Sequence, residues 1–220
     1  MRSVILTNGD LDHVLGLFSL RESWPLVLYA TPSVRRGLED RNVICRTLHR
    51  FPEQATWRDL ELGREVTIEP GLTVEARPAR GKLPVHLMGL CTPSPEDNVS
   101  LWIRDARTGK TAVYMGATSS AEGVEPEVRG ADCLFFDGTF WSSDELVSLQ
   151  LSKALAEDMA HLPIGGPAGS LAQLSGVHAS HKIFTHINNS NPILVDGSPE
   201  NLAVRAAGWQ VAYDGMEVSL

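Results

Sequence analysis

Thr7-Asn8-Gly9-Asp10-Leu11-Asp12-His13-Val14-Leu15-Gly16 follows at once on Val4-Ile5-Leu6, so two carboxylates and an imidazole come at the end of a short run of β-formers. A run this short and apolar is the pattern of a strand inside a parallel sheet, with neighbours on both sides. Arg2–Thr7 is therefore expected to be such a strand. A chain that opens on an interior-type strand is also expected to have further strands before it in the intact protein.

Two later segments repeat the arrangement. Cys133-Leu134-Phe135-Phe136 runs into Asp137-Gly138-Thr139-Phe140, and Ile183-Phe184-Thr185 runs into His186-Ile187-Asn188-Asn189. In an open α/β sheet, ligands bind in the crevice outside the carboxyl ends of the strands. Carboxylates and imidazoles delivered there by three strands can converge on one point although they lie far apart in sequence. A single buried His or Asp is more often a satisfied structural residue. Three at equivalent strand ends point to a metal or catalytic centre.

Between these segments the chain alternates strand and helix, the rhythm of an α/β layer. A short helix is expected over Leu15–Glu22 and a strand over Leu26–Ala30. Thr31-Pro32 supplies a cap and a first-turn proline for a helix over Val34–Asp40. The middle turns to short strands at Glu65–Glu69, Leu72–Ala76, Val99–Arg104 and Thr111–Met115, the last two joined by a hairpin at Asp105–Gly109. Pro78–Asp97 is proline-rich and aperiodic, a long loop of the kind that often carries function. Beyond it, helices are expected at Val124–Arg129, Ser143–His161, Pro167–Leu174 and Pro199–Ala207. Strands are expected at Cys133–Phe136 and Lys182–Thr185, and a closing pair at Trp209–Tyr213 and Met216–Ser219.

The chain has 220 residues, 43% apolar and 21% charged, which suits one soluble α/β domain over 1–220. Its net charge of −8 disfavours a nucleic-acid partner, because an acidic surface repels phosphate backbones. Arg35, Arg36 and Arg41 are interleaved with acids and read as a solvated helix face. Cys45, Cys91 and Cys133 form no close pair, so no disulfide framework or zinc knuckle is expected, in keeping with a reducing cytoplasm. No run of about 18 apolar residues and no secretory leader is visible, and a cytoplasmic location away from the membrane is expected.

The motifs carry a resemblance. Thr7–Gly16 resembles the T-H-x-H-x-D-H-x-x-G phrase of the metallo-β-lactamase superfamily, with Asp12, His13 and Gly16 intact and Asn8 and Asp10 in place of the first two histidines. Arg21–Leu26 (R-x-x-x-P-L), Asp97–Leu101 (D-N-V-S-L), Phe136–Trp141 (F-D-G-T-F-W), His161–Leu171 (H-L-P-I-G-G-P-A-G-S-L), His186–Leu194 (H-I-N-N-S-N-P-I-L) and Val211–Met216 (V-A-Y-D-G-M) look like the family of pyrroloquinoline quinone (PQQ) biosynthesis protein B. They occur in that family's order and spacing along essentially the whole chain. The resemblance implies an α/β metallo-β-lactamase-type αββα sandwich, N-terminally truncated. Family members are longer, with N-terminal strands and a Cys-rich segment thought to hold a structural zinc, and neither is present here. The superfamily's bridging aspartate falls at Gly116-Ala117-Thr118, where alanine cannot coordinate.

What the resemblance leaves for a metal is Asp12, His13 and His186, with Asp10, Asp97 and Asp137 as candidates for a further ligand. Two imidazoles and a carboxylate suit Fe(II) and O2 chemistry, and zinc accepts the same ligands. The resemblance implies iron-dependent hydroxylation of a tyrosine-derived Glu–Tyr precursor in PQQ biosynthesis. In that reading His161 or a carboxylate moves protons, and Asp137, if not a ligand, orients a ligand imidazole. His161 could instead merely cap a helix end, and Gly165, Gly166 and Gly169 could admit substrate or simply form a tight turn.

Two other classes stay open: a zinc hydrolase whose metal activates water, and a non-catalytic carrier or transport protein for PQQ or its precursor. Expected partners are a small-molecule or dipeptide-derived substrate and other PQQ biosynthesis proteins. An uncovered sheet edge would favour self-association, so a homo-oligomer or poor solubility as a monomer is expected.

Overall fold

The computed structural model describes residues 3–20, 25–42, 45, 47–48 and 54–220, in two compact units, Met1–Leu101 and Trp102–Leu220. Arg2 of the expected first strand, Arg21 of the R-x-x-x-P-L phrase, Glu22 of the first helix and His49 lie outside the described residues.

The first unit is built on a parallel sheet of β1 (Ser3–Ile5), β2 (Leu26–Ala30) and β3 (Ala55–Asp59), in that order. Its core gathers Leu6, Val14, Leu17, Leu28, Val34 and Leu38. The expected helix after β1 begins earlier, as α1 (Leu11–Val14), and continues as a 3-10 segment over Leu15–Ser19. Helix α2 (Pro32–Arg41) starts where the Thr31-Pro32 signal put it, and the Thr31 hydroxyl accepts from the Val34 amide. β3 was not expected. Only Ala55 and Trp57 of Ala55-Thr-Trp-Arg-Asp59 are apolar, too few to mark a strand by pattern, and pairing with β2, residue for residue from Leu26↔Ala55 to Ala30↔Asp59, makes it one. β4 (Glu65–Glu69) and β5 (Leu72–Pro78) then form an antiparallel hairpin. The long loop that follows has one 3-10 turn at Val85–Leu87. β6 (Val99–Asp105) spans the boundary between the units.

In the second unit β7 (Thr111–Met115), β8 (Cys133–Asp137), β9 (His181–Thr185) and β10 (Gln210–Val211) run parallel in sequence order. The turn from β6 to β7 is the expected one, closed by the Gly109 amide on the Asp105 carbonyl at 2.8 Å. Phe136, Phe184, Leu134, Ile164, Leu174 and Val204 fill the core, and Phe184 stacks on Trp209 at 4.3 Å between ring centres. Each such side chain, fully buried, contributes about 1.5–3 kcal/mol. Helices α3 (Val124–Glu127), α5 (Ser170–Gln173) and α6 (Pro199–Ala206) occupy their expected places, α3 and α5 shorter than expected.

Two expectations need correcting. The helix over Ser143–His161 exists only as α4 (Glu145–Ser148) and a 3-10 turn at Glu157–Met159. Between them Gln150 takes a left-handed φ of 59°, and the amides of Leu151 and Ser152 both turn back to the Leu146 carbonyl. Serine hydroxyls compete locally for the backbone here, as where Ser152 accepts from the Ala154 amide. The closing strand pair is also absent. Trp209 is a buried core residue, β10 has two residues on β9, and Met216–Ser219 joins no ladder. Among the described residues no helix is long and apolar enough to cross a membrane.

Candidate metal centre

The parallel register of the second unit decides which residues meet. Met115 of β7 pairs with Phe136 of β8, and Asp137 of β8 pairs with Thr185 of β9. The residues that leave these strands, Gly116–Thr118, Gly138–Thr139 and His186, therefore share one sheet edge. Gly138 permits the closest approach. Its amide bonds the Thr185 carbonyl at 2.7 Å, and a Cβ there would lie 2.9 Å from that of Phe184, too close for any other residue.

Asp137 is fully buried, and its carboxylate is saturated. Oδ2 accepts from the Thr118 amide at 2.8 Å and faces His161 Nδ1 at 2.7 Å. Oδ1 accepts from the Thr139 amide at 3.0 Å and the Thr139 hydroxyl at 2.6 Å. An ionised carboxylate offers about four lone-pair positions and no proton, so all four are taken and His161 must donate through Nδ1. The geometry makes Asp137 the group that aims His161, with Nε2 left as the unprotonated ring nitrogen. Burial, and then the charge of Asp137, push the Tyr114 phenol above its ordinary value.

His186 completes the group. Its ring stacks on that of His161 at 5.3 Å between centres, and Phe140 packs edge-on against His161. Its Nδ1 lies 2.7 Å from the Thr139 hydroxyl and 4.0 Å from Asp137 Oδ1. His186 takes a φ of 55°, a left-handed conformation that costs a non-glycine residue of order 1–3 kcal/mol and that clusters at functional sites. Atoms of Asp137, His161 and His186 lie within 4.8 Å of one another, and with its four positions taken Asp137 orients the imidazoles and does not ligate. The donor set fits a metal: two imidazoles, one aimed by a buried carboxylate, are what a transition metal of the zinc or iron type accepts.

The surrounding loops are tied to one another. Asn191 Nδ2 donates to the Gly138 and Thr139 carbonyls, and the Asn188 amide to the Thr139 carbonyl. The buried Glu145 accepts from the Trp141 amide and from Ser190 Oγ. The His161 segment joins them through the Leu162 amide on the Thr118 carbonyl and the Ile164 amide on the Phe140 carbonyl. Its glycines make a closed turn, because a Cβ on Gly169 would sit 2.2 Å from the Gly165 carbonyl oxygen.

The remaining candidate residues belong to the first unit. Asp12 and His13 lie on α1, with His13 Nε2 3.6 Å from the exposed Asp12 carboxylate. Asp10 accepts from the Val85 amide at 3.2 Å. Asp97 is buried and accepts from Ser33 Oγ and the Ser94 amide, both at 2.6 Å, so that it ties the long loop to the start of α2. The sequence reading did not single out Thr118, Thr139 or Glu145. Thr139 carried a signal in hindsight, a hydroxyl two positions after the strand-end aspartate. Glu145 read only as a helix-start acid.

The chain is similar to known proteins along its whole length. A family profile described as "Beta-lactamase superfamily domain" matches residues 1–187. The chain is 36% identical over 224 residues to coenzyme PQQ synthesis protein B of Methylobacterium radiotolerans, covering 100% of this chain and 73% of that protein. It is 38% identical over 222 residues to the protein of the same name from Cupriavidus necator, covering 99% and 73%. The crystal structure of Zn(2+)-bound PqqB from Methylobacterium extorquens superposes with a TM-score of 0.89 at 32% identity, over 100% of this chain and 73% of that one.

Proposed function

The chain belongs to the coenzyme PQQ synthesis protein B family, with a metallo-β-lactamase-type α/β fold, and from that premise we propose that it acts in PQQ biosynthesis as an iron- and O2-dependent hydroxylase of a tyrosine-derived Glu–Tyr precursor. The observation that supports this most is the saturated Asp137 carboxylate holding His161 beside His186.

In this reading His186 is a metal ligand, and the sequence pattern assigns Asp12 and His13 to the same ion, with Asp10 and Asp97 as candidates for a further position. Bound Fe(II) would supply the one-electron and O2 chemistry that hydroxylation of an aromatic ring requires. His161 is the proton carrier. With Nδ1 donating to Asp137, its Nε2 can take a proton from a phenol or return one, and the buried carboxylate stabilises the imidazolium that forms. Phe140 packs edge-on against that ring.

One observation favours a second reading. The related PqqB structure holds Zn(2+), and zinc with an activated water would make the centre a hydrolase. The test is anaerobic reconstitution with Fe(II) or Zn(II), followed by O2 uptake with the cross-linked Glu–Tyr compound. The proposal expects uptake and a product carrying added oxygen with Fe(II) alone. Zinc-dependent ester or phosphodiester cleavage without O2 uptake would replace it with the hydrolase. Tight binding of the quinone with no turnover would leave a carrier.

A further inference from the structure

The hydroxyl of Thr139 lies at the centre of the cluster. It is 2.6 Å from Asp137 Oδ1, 2.7 Å from His186 Nδ1, 2.9 Å from the His186 carbonyl oxygen and 3.1 Å from His161 Nδ1. Thr139 is buried, which favours protein partners for each of these positions.

A hydroxyl has one proton to give and two lone pairs with which to accept. Two of the four neighbours, the Asp137 carboxylate and the His186 carbonyl, can only accept. If Thr139 gave its proton to His186 Nδ1, its oxygen would face both of them with nothing between, at 2.6 and 2.9 Å. Oxygen lone pairs that close in a buried site repel, and an unmatched buried acceptor costs about 1–3 kcal/mol. The proton therefore belongs on the acceptor side, shared between Asp137 Oδ1, where the bond is shortest and charge-assisted, and the His186 carbonyl. His186 Nδ1 must then be the donor to Thr139. His161 Nδ1, already donating to Asp137, shares the same hydroxyl as a longer second acceptor.

We propose that Thr139 is a positioning residue that fixes the tautomer of His186, relaying the negative charge of Asp137 so that Nδ1 carries the proton and Nε2 is the nitrogen offered to a metal. One buried carboxylate then sets both imidazoles, His161 directly and His186 through a single hydroxyl. This rests on the metal-centre reading for its purpose and not for its geometry. The backbone supports the device, because the same hydroxyl lies against the carbonyl of His186, whose left-handed φ turns the ring toward Thr139.

The test uses the full chain, metal-free, with its imidazoles labelled with nitrogen-15, at a pH where both are neutral. Two-bond proton–nitrogen correlations then read each tautomer directly. Wild type is expected to show His186 protonated at Nδ1. Protonation at Nε2 overturns the proposal with no variant needed. Thr139→Val keeps the shape and removes the hydroxyl, and is expected to mix the His186 tautomers while His161 stays protonated at Nδ1. Zn(II) affinity of this variant, read by competition with a chromophoric chelator, should fall about 10- to 100-fold. Thr139→Ser, which restores the hydroxyl, should keep the wild-type tautomer and bind Zn(II) within about threefold of wild type. If Thr139→Val keeps His186 fully protonated at Nδ1, the proposal is wrong. If wild type binds no metal while the valine variant mixes the tautomers, the metal-centre reading fails and the role of Thr139 stands.

Discussion

Asp137 ends β8 and Asp12 lies on the helix that comes after β1, and their carboxylates live in opposite surroundings. The Asp137 side chain is 0% exposed and that of Asp12 67% exposed. Asp137 accepts four hydrogen bonds from backbone, hydroxyl and imidazole donors, whereas Asp12 sits at the surface of a one-turn helix beside His13. The contrast teaches how burial divides the work of two carboxylates. A buried, saturated carboxylate is part of the folded core and orients its neighbours before any ligand arrives. An exposed one contributes little to folding.

Substitution tests that division directly. Asp137→Ala leaves the Thr118 and Thr139 amides and His161 Nδ1 without their acceptor, and should cost about 3–5 kcal/mol of stability. Asp12→Ala should stay within about 0.5 kcal/mol. Chemical denaturation of the two variants side by side measures both, and equal losses would break the comparison.

Metal affinity should reverse the order of importance for Asp12. His186→Ala is expected to lose at least ~100-fold in affinity for Zn(II) or Fe(II), or about 2.7 kcal/mol, and Asp12→Asn about tenfold with no change in stability. Chelator competition reads both. An Asp12→Asn protein that binds as tightly as wild type would remove the first unit from the ligand set proposed above.

The smallest effect concerns the thiols, which sort by burial in the same way. Burial pushes Cys45 and Cys133 up to about 11, so at pH 8 roughly a thousandth of either is thiolate. Cys91 is exposed. Brief alkylation of the native chain at pH 8 should modify Cys91 alone, and denatured chain all three. Rapid labelling of Cys133 would mean that the second unit opens more readily than its packing implies.

Much of the fold could be read from local pattern. Leu26–Ala30, Glu65–Glu69 and Thr111–Met115 are strands to the residue, because β-formers bounded by turn residues leave little choice. Thr31-Pro32 and Ser198-Pro199 mark the starts of α2 and α6 for the same reason. Pattern failed where tertiary contact decides. β3 exists through its partner β2, and the apolar spacing of 143–161 concealed the reversal at Gln150. At the site, the residue types that bind metals were visible at the strand ends. Thr118 and Thr139 were not, since a threonine has no metal-binding signature and its importance here comes from the acceptors around it.

The central claim is that one metal ion is held with the imidazole of His186, in a cluster preset by Asp137. The direct measurement is metal loading under anaerobic conditions with X-ray absorption at the bound metal, on wild type and His186→Ala. The account predicts one ion per chain, a coordination shell with imidazole scattering, and loss of the ion in the variant. Two ions per chain, or a shell unchanged when His186 is replaced, would contradict it.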